Sequence, residues 1–336
     1  MKIRIGRGFL FAVVVLSAIE LSIHLFFKDK SAGVSSFGFD SDSGFVDRRD
    51  GMVEFQRTWG RRFHVQETTS SPSHEVARIF VVGDSVPRGK SPGRAYSGRI
   101  VPLMAEAGFK AESFNLALPG YGARRVQIVI ERGLRYKPDV VIFHLNNSNE
   151  YEDERDYERY RESQSWHPRN WIKKSYFFQK LHQQRTEKLM WRYLPPDIRD
   201  LNGGDDAGSE RAASANEVNL QRWRELVEAE SKESVKILKD AGVCVILVSQ
   251  CRYRRENQEN NRLVRNDFLE DLAKSLEGKG VHHFSMYDAF ASVDPEPHFA
   301  DSAHLRDTGH QIVAEELARF IPARLIQFEA GRFFGE

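Results

Sequence analysis

Five short runs of strand-like sequence alternate with segments of helical periodicity along most of this chain. The runs cover residues 79–82, 112–118, 140–145, 243–249 and 280–284. They are rich in apolar and β-branched residues and are bounded by Gly, Pro or Asp, the pattern of buried strands. The segments 96–107, 123–136, 220–240, 261–276 and 308–325 carry apolar residues at helical spacing, as in Val126, Ile130 and Leu134 or Ile312, Val313, Leu317 and Phe320. Strands joined by helices pair in parallel, and a parallel sheet needs both faces covered. The pattern therefore predicts an α/β fold, a three-layer α/β/α sandwich around a mostly parallel five-stranded sheet. There is no internal repeat.

At 336 residues, 40% hydrophobic and 29% charged, the chain is globular rather than disordered, and large enough for a full core. A net charge of +1 gives no pull toward nucleic acid, so no nucleic-acid partner is expected. The only cysteines are Cys244 and Cys251. In one extended strand they would stand about 23 Å apart, too far to bridge, so free thiols are expected.

At the amino end, Lys2, Arg4 and Arg7 precede an apolar run over residues 9–27. A run of about 20 residues fits a membrane span. Basic residues ahead of it predict a single-pass anchor with everything after residue 30 outside the cytoplasm, periplasmic or extracellular. Glu20 and His24 interrupt the run, because charge in a bilayer is costly. A cleaved signal peptide competes with this reading, although no small-x-small cleavage site follows; an amphipathic or buried helix is the third. Residues 31–44, rich in Ser, Gly and Asp, read as a linker, and residues 45–72 as an irregular or short-strand lead-in. The expected division is an anchor or signal segment (1–30), a linker and lead-in (31–72) and one domain (73–330). Within that domain, residues 150–215 break the alternation as a helical insertion. It opens with the charge-dense stretch 151–162, which reads as a solvated helix face. It continues with Trp166, Trp171, Tyr176, Phe177, Phe178 and Trp191. It is either an ordinary helical excursion or a lid, membrane-facing or glycan-facing surface over the active edge.

The first strand run stops at Gly83-Asp84-Ser85, which holds a serine at the carboxyl end of a buried strand, the edge where ligands bind in open α/β sheets. A serine nucleophile needs a base and an oxyanion site. Asp301 and His304 lie just past the last strand, three residues apart, where a carboxylate can fix the tautomer of an imidazole and leave Nε2 to deprotonate Ser85. Oxyanion donors are available at other strand ends: the N–H of Gly120, the side-chain amide of Asn149, and the N–H of Ser85 itself. His144 ends the third strand and reads as structural or as a substrate contact. Asp288 reads as a loop-fixing residue. Each carries a bland alternative: Ser85 as a turn residue, His304 as a structural histidine, Asn149 as a helix cap. A zinc site from His298, Asp301 and His304, with His282 and His283 nearby, leaves Ser85 and Asn149 unexplained, so no metal is expected. Pro87 stands where a Gly-x-Ser-x-Gly elbow wants glycine. No glycine-rich phosphate loop follows the first strand, which argues against a nucleotide-binding fold.

These residues resemble the four blocks of SGNH/GDSL-type hydrolases, in order, over residues 78–325. Gly83-Asp84-Ser85 matches the nucleophile block. Asn115-Leu-Ala-Leu-Pro-Gly120 resembles the second, Asn147-Ser-Asn149-Glu150 the third, and Asp301-Ser-Ala-His304 matches the last. Asn147 departs from the family glycine, a position where asparagine tolerates a left-handed backbone, and Val86 stands in place of leucine. The resemblance implies a flavodoxin-like SGNH hydrolase fold, with Ser85, Asp301 and His304 as catalytic triad and Ser85, Gly120 and Asn149 as oxyanion hole. It implies no cofactor. The expected function is a membrane-anchored serine acyl-ester hydrolase or O-acyltransferase acting on a glycan, lipid or small-molecule ester. The alternative is a non-catalytic envelope protein that binds glycans or scaffolds through residues 150–215.

Overall fold

The computed structural model describes residues 6–27, 38–39, 44–57, 62–73, 75–164, 217–254 and 262–333. Most of the expected linker and the aromatic part of the expected insertion, residues 165–216, lie outside them. α1 (Arg7–Phe27) precedes three short strands, β1 (Phe45–Asp47), β2 (Met52–Arg57) and β3 (Arg62–Thr69). β4 (Ala77–Val82) leads into α2 (Ser85–Arg88) and α3 (Tyr96–Glu106). β5 (Ala111–Asn115) leads into α4 (Ala123–Gly133), and β6 (Val140–Leu145) into α5 (Glu150–Gln164). α6 (Glu217–Asp240), β7 (Cys244–Ser249), β8 (Arg252–Arg254) and β9 (Arg262–Val264) follow. The chain closes with α7 (Asp267–Leu276), β10 (Val281–Ser285), α8 (Met286–Ala289) and α9 (Asp307–Phe333).

The central sheet has five strands in the order β10-β7-β6-β4-β5, and every neighbouring pair is parallel. Numbered by their order in the chain, these strands read 2-1-3-4-5 from the β5 edge, the doubly wound arrangement of flavodoxin-like sheets. Winding reverses between β4 and β6, and such a switch opens a crevice at the carboxyl ends of those two strands. Successive side chains of each strand enter opposite cores, as the two-residue strand period requires. Phe80, Val82, Val141, Phe143, Val245 and Leu247 face one cluster with residues of α4, α6 and α7. Ile79, Val81, Val140, Ile142, Cys244 and Ile246 face the other, against α3 and α9. Cys244 and Cys251 are buried and unbridged.

Of the two expectations for the lead-in, irregular or short-strand, the structure shows short strands. β1, β2 and β3 form an antiparallel sheet whose Phe45, Val53, Phe55 and Phe63 join the first cluster. Phe55 packs edge-on to Phe80 and tilted against Phe114, at ring separations of 6.4 and 5.7 Å. Gln66 of β3 bonds both backbone groups of Asn115 (2.8 and 2.9 Å), which covers part of the β5 edge. The two sheets are also joined by Arg78, a fully buried cation. Its guanidinium donates to Glu112 (2.6 Å), Tyr136 O (2.8 Å), Thr68 (3.1 Å) and Thr69 (3.2 Å), so its buried N–H groups are satisfied from both sheets.

Two further expectations are corrected. Residues 261–276 are not one helix: Arg262–Val264 is a strand, and α7 starts only after Asn266, whose side chain accepts from Leu269 N (3.4 Å) as N-cap. The second strand ends at Asn115 rather than at 118, because the Asn115 side chain accepts from Ala117 N (3.2 Å) and turns the chain. At the amino end, α1 is a 21-residue helix with apolar side chains in the open, Phe11 71% and Leu21 62% exposed. Among the described residues, however, no helix is long and apolar enough to cross a membrane. The expected transmembrane helix thus finds no support in the structure.

Candidate active site

Ser85 is the first residue of α2, directly beyond the switch-point strand β4. The turn into it is narrow. Gly83 has φ +152°, and a Cβ there would lie 2.9 Å from both His144 Cβ and Pro87 Cγ, so only glycine fits. Asp84 caps the short helix by accepting from Val86 N (3.0 Å). Asn115 secures the far side, donating to Pro87 O (2.9 Å), Arg88 O (3.1 Å) and Ser97 Oγ (2.9 Å). In the sequence Asn115 stood out only as the start of a motif; a polar asparagine inside the strand-like run 112–118 was the available sign of this role.

The loop after α8 brings in the partners. Phe299 and Leu305 pair as an isolated bridge, and Ala300 N donates to His304 O (2.8 Å), so the stretch between them is a closed turn. Inside it, Asp301 Oδ1 accepts from the N–H groups of Ala303 (2.8 Å) and His304 (2.7 Å). Asp301 Oδ2 lies 2.7 Å from His304 Nδ1, and His304 Nε2 lies 2.7 Å from Ser85 Oγ. An ionised carboxylate only accepts, so Nδ1 carries the proton and Nε2 is left to accept from the serine hydroxyl. Burial by itself would raise the Asp301 carboxyl, but the ring and backbone hydrogen bonds from His304, its charge and the Ala303 N–H hold it below the usual aspartate value. Ser85 and His304 are both buried, at 6% and 7% exposure. The structure thus joins three residues that the sequence places 216 and 219 positions apart.

Of the expected oxyanion donors, Asn149 stands at the start of α5, 2% exposed. Its Nδ2 donates to Asp84 Oδ2 (3.1 Å) and, at longer range, to Asn146 Oδ1 (3.4 Å), so it abuts the nucleophile turn. Gly120 occupies a left-handed turn, φ +65°. Its loop runs beside the nucleophile turn, where Leu118 N donates to Gly83 O (3.0 Å). The left-handed backbone anticipated for Asn147 is not needed, since Lys137 is the one described non-glycine residue with positive φ.

The other candidates fall elsewhere. His144 is fully buried behind Gly83, 3.2 Å from the Tyr96 hydroxyl, which removes the substrate-contact option. Burial, then the charge of His310, pushes its imidazole down to about 3, so it is neutral. Asp288 holds a turn through its backbone, donating to Ser285 Oγ (3.2 Å). His283 Nε2 lies 2.8 Å from Ser249 Oγ, and that hydroxyl lies 2.6 Å from Glu270, a cluster away from His304. Among the described residues, no three His, Cys, Asp or Glu side chains are grouped to hold a metal ion. A cavity of about 170 Å³ opens on the α4–α5–α6 side, lined in part by Ala123, Glu150, Tyr157 and Leu226 but by none of Ser85, Asp301 and His304.

Glu150, next to Asn149, is 5% exposed, and its Oε1 has no hydrogen-bond partner. Burial first, with the charges of Asp153 and Asp84 adding to it, pushes its carboxyl up to about 8 against opposing backbone hydrogen bonds. The folded protein therefore keeps this proton up to about pH 8, whereas the unfolded chain releases it near the usual glutamate value of 4.5. Between those limits the folded state binds more protons, so the Glu150 contribution to stability falls as pH rises. Glu150→Gln is expected to flatten the decline in thermal midpoint between about pH 5 and pH 8. A decline of the same size in the variant would assign it to another group.

No protein-family model and no curated protein matches the chain. Among solved structures it is similar to an acetyl xylan esterase, at 13% identity and TM-score 0.43, covering 73% of this chain and 99% of that one. It is similar to the protein TesA at 10% identity and TM-score 0.41, covering 74% and 99% of the two chains. A GDSL-like lipase from Bacteroides thetaiotaomicron gives 10% identity and TM-score 0.39, covering 75% and 91%. Identities and TM-scores this low assign the chain to no family.

Proposed function

We propose that this chain is a serine acyl-ester hydrolase of the SGNH/GDSL type, with Ser85 as nucleophile, His304 as general base and Asp301 as the group that orients it. The observation that carries the reading is the continuous hydrogen-bond relay from Ser85 Oγ through His304 to Asp301, each step 2.7 Å. His304 takes the hydroxyl proton as Ser85 attacks the ester carbonyl. The tetrahedral oxyanion is held by the N–H groups of Ser85 and Gly120 and by the Asn149 amide, which exchanges its long contact to Asn146 for the oxyanion. His304 returns the proton to the leaving alcohol. Water, deprotonated in turn by His304, then releases the acyl group. An acceptor hydroxyl in place of that water would make the same residues an O-acyltransferase. The substrate class is an acyl ester on a glycan, lipid or small molecule. A non-catalytic binding module has no use for a carboxylate held in register with an imidazole and a serine.

The test is to expose the protein to a fluorophosphonate probe and to p-nitrophenyl acetate. Labelling at Ser85 with ester cleavage is the expected result; a folded protein that does neither overturns the reading. Adding alcohols of increasing size and measuring acylated product separates transfer from hydrolysis. We also propose a membrane-anchored, extracytoplasmic location. Its support is the sequence of basic residues followed by the apolar run 9–27. Release of the full chain from membranes by alkaline carbonate would refute it.

A further inference from the structure

Gly120 and Asn149 belong to loops that follow β5 and β6, and β4 lies between those strands in the sheet. No direct pairing of β5 with β6 therefore sets the distance from one donor to the other. What joins them is a buried ionic network. Arg125, in the first turn of α4, is fully buried. Its Nη2 donates to Gly120 O (2.6 Å), its Nε to Asp153 Oδ1, its Nη1 to Asp156 Oδ2 (3.2 Å), and its backbone N to Asp153 Oδ2 (3.2 Å). Asp153 and Asp156 lie in α5, which starts directly after Asn149, and Asp153 N donates to Asn149 O (3.0 Å). One guanidinium thus ties the carbonyl of Gly120 to the first turn of the helix that carries Asn149.

We infer that Arg125 is a positioning residue that sets the two oxyanion donors, Gly120 and Asn149, in register with each other; the inference rests on the hydrolase reading above. Glycine in a left-handed turn is the residue least able to hold its own peptide orientation. Its carbonyl lies in the peptide plane that follows its Cα and its N–H in the plane before it, so anchoring the carbonyl oxygen holds one of the two planes hinged at Gly120 and narrows the freedom of the other. The fork of the guanidinium makes the tie directional, which a lysine point charge cannot reproduce. The surroundings keep it in place. The Arg125 guanidinium lies 4.6 Å from the Tyr121 ring centroid and 5.5 Å from that of Phe39. A Cβ at Gly122 would come within 2.8 Å of the Asp153 carboxyl, so α5 rests directly on the Gly120 loop. Arg155 Nε donates to the other oxygen of Asp156 (3.3 Å), which compensates the second carboxylate. Packing alone does not call for this arrangement, because apolar residues of similar volume fill such a site at no greater cost than a buried ion pair. Aiming a catalytic donor does call for it.

The experiment compares full-length wild type with Arg125→Lys for kcat and KM on p-nitrophenyl acetate, fluorophosphonate labelling rate and thermal midpoint. Arg125→Lys is expected to lose about 10- to 100-fold in kcat and in labelling rate, with KM within about twofold, at temperatures where it is fully folded. If Arg125→Lys does not fold, Asp156→Asn takes its place. It leaves the Gly120 and Asp153 contacts of Arg125 formed and weakens the third, along with the Arg155 contact to the same carboxylate, so a severalfold loss confined to kcat is expected. An active wild type beside a folded variant with unchanged kcat, or with a change in KM alone, overturns this inference and leaves the hydrolase reading standing. A folded wild type that neither labels nor turns over overturns both.

Discussion

Ser85→Ala is expected to remove ester cleavage and phosphonate labelling together, a loss of about 10⁴-fold or more in kcat, while the thermal midpoint barely moves. The two halves of this expectation have separate causes. Oγ is the only atom in the relay able to form the acyl bond, so the loss does not depend on how well the rest of the site is held. Stability is spared because the turn is built by other groups. Gly83 supplies the narrow backbone, Asp84 caps α2 through Val86 N, and Asn115 pins Pro87 and Arg88. Alanine is well tolerated at the start of a helix. The substitution removes one hydrogen bond, to His304 Nε2, whose net worth is about 1 kcal/mol. Calorimetry beside turnover checks both halves. Retained turnover with a large drop in midpoint would make Ser85 a structural turn residue and end its assignment as nucleophile.

The site was legible in the sequence because its parts are local. Ser85 is marked by an apolar run that breaks at glycine, and Asp301 and His304 are near enough in sequence to be read as a pair. The sheet was legible for the same reason: strands buried on both faces, such as 140–145 and 244–249, are continuous apolar runs. What escaped depends on partners distant in sequence. The stretch 151–162 was read as a solvated face, yet Glu152, Asp153 and Asp156 are buried, and Arg125 and Arg155 supply the countercharge for the two aspartates. Nothing near Asp153 announces an arginine 28 positions earlier. Arg78 escaped likewise, a charge at the head of an apolar strand whose acceptors come from β3, β5 and the turn at Tyr136. The β1–β3 sheet was half visible: Val53 and Phe55, and Phe63 and Val65, alternate as strands should, but Val65 is exposed, so the alternation does not tell which of these side chains enter the core.

Asp301→Asn separates the orienting role of this carboxylate from its structural one. Asp301 Oδ1 accepts two backbone N–H groups of its own turn, and Oδ2 faces His304 Nδ1. Asparagine keeps an oxygen for the backbone bonds, so the turn and the thermal midpoint are expected to survive. Its NH₂ group then faces His304 Nδ1, which must become the acceptor, and the ring proton moves to Nε2. From there Nε2–H donates to Ser85 Oγ instead of accepting from it, and the serine has no base. The expected result is a kcat lower by about 10⁴-fold with a thermal midpoint close to wild type. Asp301→Ala loses the turn bonds as well and is expected to be both inactive and less stable. The wild-type carboxyl is held below its usual value, so its contribution is fully present above the ordinary aspartate range and lost only as pH falls below it. The gap between wild type and Asp301→Asn is therefore expected to stay constant with respect to this group from about pH 5 to pH 8. A folded Asp301→Asn protein within tenfold of wild-type kcat would show that His304 does not depend on Asp301 for its tautomer, and the base would have to be oriented by some other group.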